Sequence, residues 1–134
     1  MEYELRETLP TPETFVSLRK AAGMAPRSHE AAKRGLAGTL FGAIVVESET
    51  DTTVGMGRVV GDGGCVYHIS DMAVHPDHQE NGLGTRIMDS LMAYIESDAP
   101  ESAYVNLVAD VDGFYEQWGF TPVAPESKGM HLRL

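Results

Sequence analysis

The stretch HPDHQENGLGTRIMDSL, from His75 to Leu91, decides how the rest of the chain is read. It carries two glycines, Gly82 and Gly84, where an apolar run gives way to a helical pattern. Leu83, Ile87, Leu91 and Ile95 recur every fourth residue, with Met88 and Tyr94 beside them, which predicts an amphipathic helix over Leu83 to Ser97. Pro100 marks its end. A helix N-terminus presents unpaired amides and a partial positive charge, and glycines let that backbone approach a ligand closely. Such a loop can hold an anion without a lysine. Thr85 can add a hydroxyl donor, and Arg86 a positive charge if it points toward the first turn. The loop is not a Walker loop, because Gly84-Thr85-Arg86 stands where Gly-Lys-Ser/Thr is required. Nor is it a dinucleotide fingerprint, since Gly-x-Gly is followed by no third glycine. Taken alone, two glycines serve a plain turn equally well, and the acid Glu80 favours that reading.

The flanking sequence supplies a fold. Before the loop, Thr39 to Ser48, Thr52 to Gly61 and Cys65 to Val74 are rich in β-branched residues. Glu49-Thr50-Asp51 and Asp62-Gly63-Gly64 are turns between them. An antiparallel meander follows. After the helix, Ala103 to Ala109 reads as a strand that a right-handed crossover sets parallel to the third. Tyr3 to Glu7 alternates as a first strand. Thr11-Pro12-Glu13 starts a helix carrying Phe15, Leu18 and Ala22, closed by Gly23. Ser28 caps a second helix expected to stop at Gly35. Gly113 to Trp118 allows a short helix ended by Gly119, and Phe120 to Val123 with Met130 to Leu134 reads as a last strand pair. The class is mixed α/β, and 134 residues without repeats or linkers read as a single domain, 1–134.

Composition narrows the function. Hydrophobic content of 43% and charged content of 22% are ordinary for a globular chain. No apolar run approaches the roughly 18 residues that span a membrane, and the acidic, polar start is not a secretory signal. One cysteine excludes an internal disulfide and fits a cytoplasmic location. The five histidines lack metal-ligand spacing, so no metal is expected. A net charge of −10 with no basic patch argues against nucleic acid. It fits solubility or a salty interior, and leans weakly toward cationic substrates.

Two signatures then resemble a known family. Ile69-Ser70-Asp71-Met72-Ala73-Val74-His75-Pro76, followed by Gln79-Glu80-Asn81-Gly82-Leu83-Gly84 and a helix, is similar to the acetyl-CoA motif of the GNAT superfamily of N-acetyltransferases. Farther on, Phe114-Tyr115-Glu116-Gln117-Trp118-Gly119-Phe120 resembles that family's second signature, Phe-Tyr-x-x-x-Gly-Phe. The run Gly57 to Gly64 resembles small bacterial and archaeal members. The resemblance implies a GNAT-like α/β (α+β) fold: a mixed, mostly antiparallel sheet with a central splayed parallel strand pair and helices on both faces. It implies direct acetyl transfer from acetyl-CoA, as cosubstrate, to a primary amine of a small molecule or protein, and dimers are frequent in the family. The alternative is a non-catalytic acetyl-CoA-binding sensor or interaction module on the same fold.

Residue roles implied by the resemblance are specific. The backbone of Met72, Ala73 and Val74 would pair with the pantetheine arm. Amides from Gln79 through Glu80, Asn81, Gly82, Leu83 and Gly84 to Thr85 would hold the pyrophosphate, with the Glu80 carboxylate turned away. A backbone N–H near Val74 would polarise the thioester carbonyl. Tyr115 would protonate the leaving thiolate, and Phe114 would pack in the core or along the cofactor. Asp71 is the leading candidate for the base, ahead of His68, His75, His78 and His131. Strand parity sets Asp71 on the face of Ile69 and Ala73, opposite His68. His75 and His78 fit capping, Arg58 a surface position, and Cys65 a buried packing role rather than a nucleophile.

Overall fold

The computed structural model describes residues 2–134. Its five strands are β1 (Tyr3–Arg6), β2 (Phe41–Glu47), β3 (Thr52–Gly61), β4 (Val66–Val74) and β5 (Tyr104–Asn106). They form one sheet in the order β1-β2-β3-β4-β5. The first four run antiparallel, and β5 lies parallel to β4. Helices α1 (Pro12–Ala21) and α2 (His29–Ala37) cover one face, and α3 (Leu83–Asp98) covers the other. This is the expected class of fold. None of the helices in the described residues is long and apolar enough to cross a membrane.

Local chemistry explains the element starts. The Thr11 and Ser28 hydroxyl oxygens accept from the amides of Thr14 and Ala31, at 3.2 and 3.0 Å, capping α1 and α2. Helix α2 does not stop at Gly35. It continues to Ala37 because Leu36 extends the buried face begun by Ala32, and Gly38 becomes the cap.

Two cores share the sheet. Ala43, Val45, Val59, Tyr67 and Ile69 face Leu83, Ile87, Met88, Leu91 and Ile95 of α3. Ile44, Val46, Met56 and Ala73 face Phe15, Leu18, Ala32 and Leu36. Burying each large apolar side chain contributes about 1.5–3 kcal/mol. At the far end of α3, the Tyr67 hydroxyl donates to Asp98 at 2.7 Å.

Strand β4 changes face midway. Ile69 belongs to the α3 core, whereas Ala73, four residues on, belongs to the α1/α2 core. The ladder shows why: Ser70 opposes Arg58 and Ala73 opposes Met56, so Asp71 and Met72 stand against Gly57 alone. This is a β-bulge, and Asp71 takes a left-handed backbone (φ 60°) to make it. Asp71 therefore shares a face with Ala73 and with His68, not with Ile69. Regular parity fails because one residue is inserted.

The parallel pair is short. Only Val66, Tyr67 and His68 pair with Tyr104, Val105 and Asn106. Beyond His68 the two strands part, so β5 ends at Asn106 instead of Ala109. The strand pair expected at residues 120–123 and 130–134 does not form, since a three-residue β5 offers too little edge to template it. Cys65 is exposed rather than buried. It sits in a turn where the Asp62 carboxylate accepts from the amides of Gly64, Cys65 and Val66.

The bulge needs a glycine opposite it. A Cβ on Gly57 would come within 2.5 Å of Met72 Sδ and 2.7 Å of Ile87 Cγ2. Gly57→Ala is therefore expected to destabilise the fold by about 1–3 kcal/mol through overpacking, read as a lowered denaturant midpoint at unchanged slope.

Candidate functional site

The loop after β4 is fixed by its own side chains. His75 Nδ1 accepts from the Asp77 amide at 3.1 Å. Asn81 Nδ2 donates to the carbonyls of His78 and Gln79, at 2.9 and 3.1 Å. Gln79 Nε2 reaches back to the Val74 carbonyl at 3.3 Å. Glu80 and Gly82 both adopt left-handed backbones, φ 67° and 71°. Gly82 stands at the cap of α3 and supplies no side-chain cap, so the first amides of a 16-residue helix are left open.

These amides face a cavity of about 380 Å³. Met72, Ala73 and Val74 form one wall, and Gln79, Glu80, Gly82, Leu83, Gly84 and Thr85 another. Phe114 and Tyr115 close the third side. The structure thus gathers nearly all the expected residues around one space. Asn81 is the exception: its side chain braces the loop and it does not line the cavity. Glu80 does line it. Arg86 turns away, its guanidinium donating to the Tyr3 carbonyl at 3.5 Å.

The Phe114-Tyr115 turn is seated on α3. Trp118 Nε1 donates to Asp89 at 2.8 Å, and the Phe114 ring packs edge-on against Tyr115 and Trp118 at 5.0 and 5.1 Å. The Phe114 ring lies against Gly84 at the helix start, where a Cβ would meet it at 3.4 Å, an ordinary contact. Tyr115 is half-buried. Burial pushes its hydroxyl above the usual tyrosine range, and the charge of Asp110 adds to this. The group stays protonated and able to donate.

A second cavity, about 360 Å³, lies beyond Tyr115. Met72, Asp110 and Tyr115 line both. His68 and Asp71 line the second, as does Arg19. Asp71 is buried, and both carboxylate oxygens are taken: Oδ1 by Arg19 Nη1, Oδ2 by Arg58 Nε at 2.6 Å. A carboxylate gripped by two guanidiniums is not free to accept an amine's proton, so Asp71 is a structural anchor rather than a base. Arg58 is no surface residue. It also donates to the Gly35 carbonyl and to Thr39 Oγ1, both at 3.0 Å, joining β3 to α2. Burial lowers the Arg19 guanidinium pKa; Asp71 opposes this, and Arg27 and Arg133 push the same way as burial.

His68 is placed differently. Its Nδ1 lies 2.5 Å from the Asn106 side-chain oxygen. An amide oxygen only accepts, so in this pairing Nδ1 is the donor. Sequence reasoning missed Arg19 and passed over Asp110. Arg19 had a signal: it falls four residues after Phe15, on the apolar face of α1, where a charge requires a buried partner. Asp110 had only its nearness to the Phe-Tyr signature. Among the described residues no group of three His, Cys, Asp or Glu side chains is arranged to hold a metal.

Comparison with known proteins agrees with this geometry. Residues 26–134 match the family model described as "Acetyltransferase (GNAT) domain". A Staphylococcus aureus crystal structure, described as a probable acetyltransferase of unknown function, superposes with a TM-score of 0.93 at 40% identity, over 99% of this chain and 100% of that one. A GNAT-family acetyltransferase of Brucella melitensis, described in complex with acetyl-CoA, shares the fold at 17% identity with a TM-score of 0.66, over 90% of this chain and 84% of that one. An uncharacterised N-acetyltransferase of Porphyra purpurea is 29% identical over 89 residues, 66% of this chain. The chain spans about half the length of that curated relative (51%).

Removing Asp71 leaves two guanidiniums without their shared counter-charge. Asp71→Ala is expected to cost about 3–5 kcal/mol of folding stability, measured by chemical denaturation.

Proposed function

The chain belongs to the GNAT acetyltransferase family, and from that premise we propose that it transfers an acetyl group from acetyl-CoA directly to a primary amine. The observation that carries this reading is the position of Tyr115, on the wall shared by the two cavities. One cavity suits a CoA thioester and the other an acceptor.

The first cavity fits the cosubstrate by its donors. An uncapped helix N-terminus offers amides to a pyrophosphate without needing a lysine. Past His68 the edge of β4 has no strand partner, leaving the main chain of Met72 to Val74 open to an extended, amide-bearing arm. Acetyl-CoA supplies the acetyl group as a thioester, already activated toward an amine.

The chain's own groups handle the protons. The Val74 region polarises the carbonyl through a backbone N–H. His68 Nε2 accepts the proton that the amine loses as its nitrogen bonds to the acetyl carbon. As the carbon–sulfur bond breaks, the Tyr115 hydroxyl gives its proton to the departing thiolate. We place His68 rather than Asp71 in the base role because both Asp71 oxygens are held by guanidiniums, whereas the hydrogen bond of His68 to Asn106 uses Nδ1 and leaves Nε2 for the amine.

Incubation with acetyl-CoA and an amine panel, read by thiol release, tests the reaction. Stabilisation by acetyl-CoA without transfer to any amine would support the sensor reading instead. Tyr115→Phe is expected to lower kcat about 10²- to 10³-fold, with little change in acetyl-CoA affinity. Because the Tyr115 pKa is raised, the wild-type rate should hold through the ordinary tyrosine range and fall only at higher pH. Glu80→Arg should tighten acetyl-CoA binding several-fold at low salt, measured by calorimetry, since it replaces an acidic lining residue with a cationic one.

A further inference from the structure

The second cavity is charged against the sign of the chain. The protein has 10 Lys and Arg against 20 Asp and Glu. Yet Arg19, Arg27 and Arg133 all line this one space, and His68 and His131 add two imidazoles. The acids facing it are Asp71 and Asp110. Asp71 is spent on Arg19 and Arg58, two cations for one acid, which leaves Asp110 as the other acid on a lining that also carries Arg27 and Arg133. Among the described residues, Arg27 donates to the main-chain carbonyls of Ala25 and Pro26, at 3.5 and 3.2 Å, and is paired with no carboxylate. Arg27 and Arg133 both lie near enough to Arg19 to disfavour its protonated form. The three guanidiniums therefore form one cluster.

This lining has two chemical consequences. A polyamine would bring more positive charge beside Arg27 and Arg133, and is disfavoured there. An acceptor bearing an anion gains paired, charge-assisted hydrogen bonds from arginine. The cavity volume of about 360 Å³ suits a small molecule.

Resting on the acetyl-transfer reading, we infer that the acceptor is a small amine that also carries a carboxylate or phosphate, its anion held by Arg27 and Arg133 and its amine directed toward Tyr115. The cationic preference suggested by net charge is thus reversed locally.

The test is steady-state thiol release from acetyl-CoA with matched acceptors: amino acids, aminoalkyl phosphates and amino-sugar phosphates against the same amines lacking the anion, and polyamines. The expected result is a kcat/KM at least tenfold higher for the anionic member of a pair, with the carboxylate and phosphate arms telling which anion is taken. Arg27→Glu should raise KM for that acceptor about tenfold or more, leaving kcat and acetyl-CoA affinity nearly unchanged. Arg133→Gln provides a second variant should Arg27→Glu fold poorly. Equal or better turnover of polyamines overturns the inference and leaves acetyl transfer standing. Acetyl-CoA binding without turnover of any amine overturns both.

Discussion

The structure turns on a carboxylate buried between two guanidiniums. Asp71 binds Arg19 of α1 and Arg58 of β3, and Arg58 reaches on to the end of α2. One side chain thereby ties two helices to two strands. Burying three charges costs several kcal/mol per ion unless each is paired, so the arrangement tolerates few alternatives. It also demands that Asp71 face α1, and the bulge provides this. The inserted residue turns β4 over, sends Ala73 into the α1/α2 core and frees Met72 and Val74 to border the cavity at the start of α3.

Much of this was legible in the sequence where the signal is local. The three meander strands, the caps at Thr11 and Ser28 and the long α3 follow from periodicity and turn chemistry. The loop and the Phe114-Tyr115 turn could be assigned together because the two signatures point to one family. What escaped was long-range. No spacing rule shows that β4 carries a bulge, since the bulge answers a partner, Arg19, that lies 52 residues away. Misjudging that residue misjudged the parity of His68 and Asp71. The C-terminal strand pair failed for a related reason: alternation in Met130 to Leu134 is real, but a strand also needs an edge of adequate length, which sequence pattern does not report.

The splay of β4 from β5 gives the site its layout. Two parallel strands in register for three residues and then parting leave a gap in the sheet. One strand offers open backbone to the gap. The Tyr115 turn, pinned to α3 through Trp118 and Asp89, reaches the same place from the other side. A donor and an acceptor can then approach from opposite faces of one tyrosine. The two cavities carry different recognition chemistry, main-chain amides in one and guanidiniums in the other.

That division bears on how the chain behaves toward ions. A polyanion drawn to the α3 N-terminus must first cross the field of a molecule with a net charge of −10. The amides that receive it act only at contact, where mobile ions screen little. The opposing field acts at a distance, and salt removes it within about 10 Å at 0.1 M. A lysine-based loop loses its attraction for an anion as electrolyte rises; at a main-chain site in an acidic shell, the same screening also weakens the repulsion that opposes the anion.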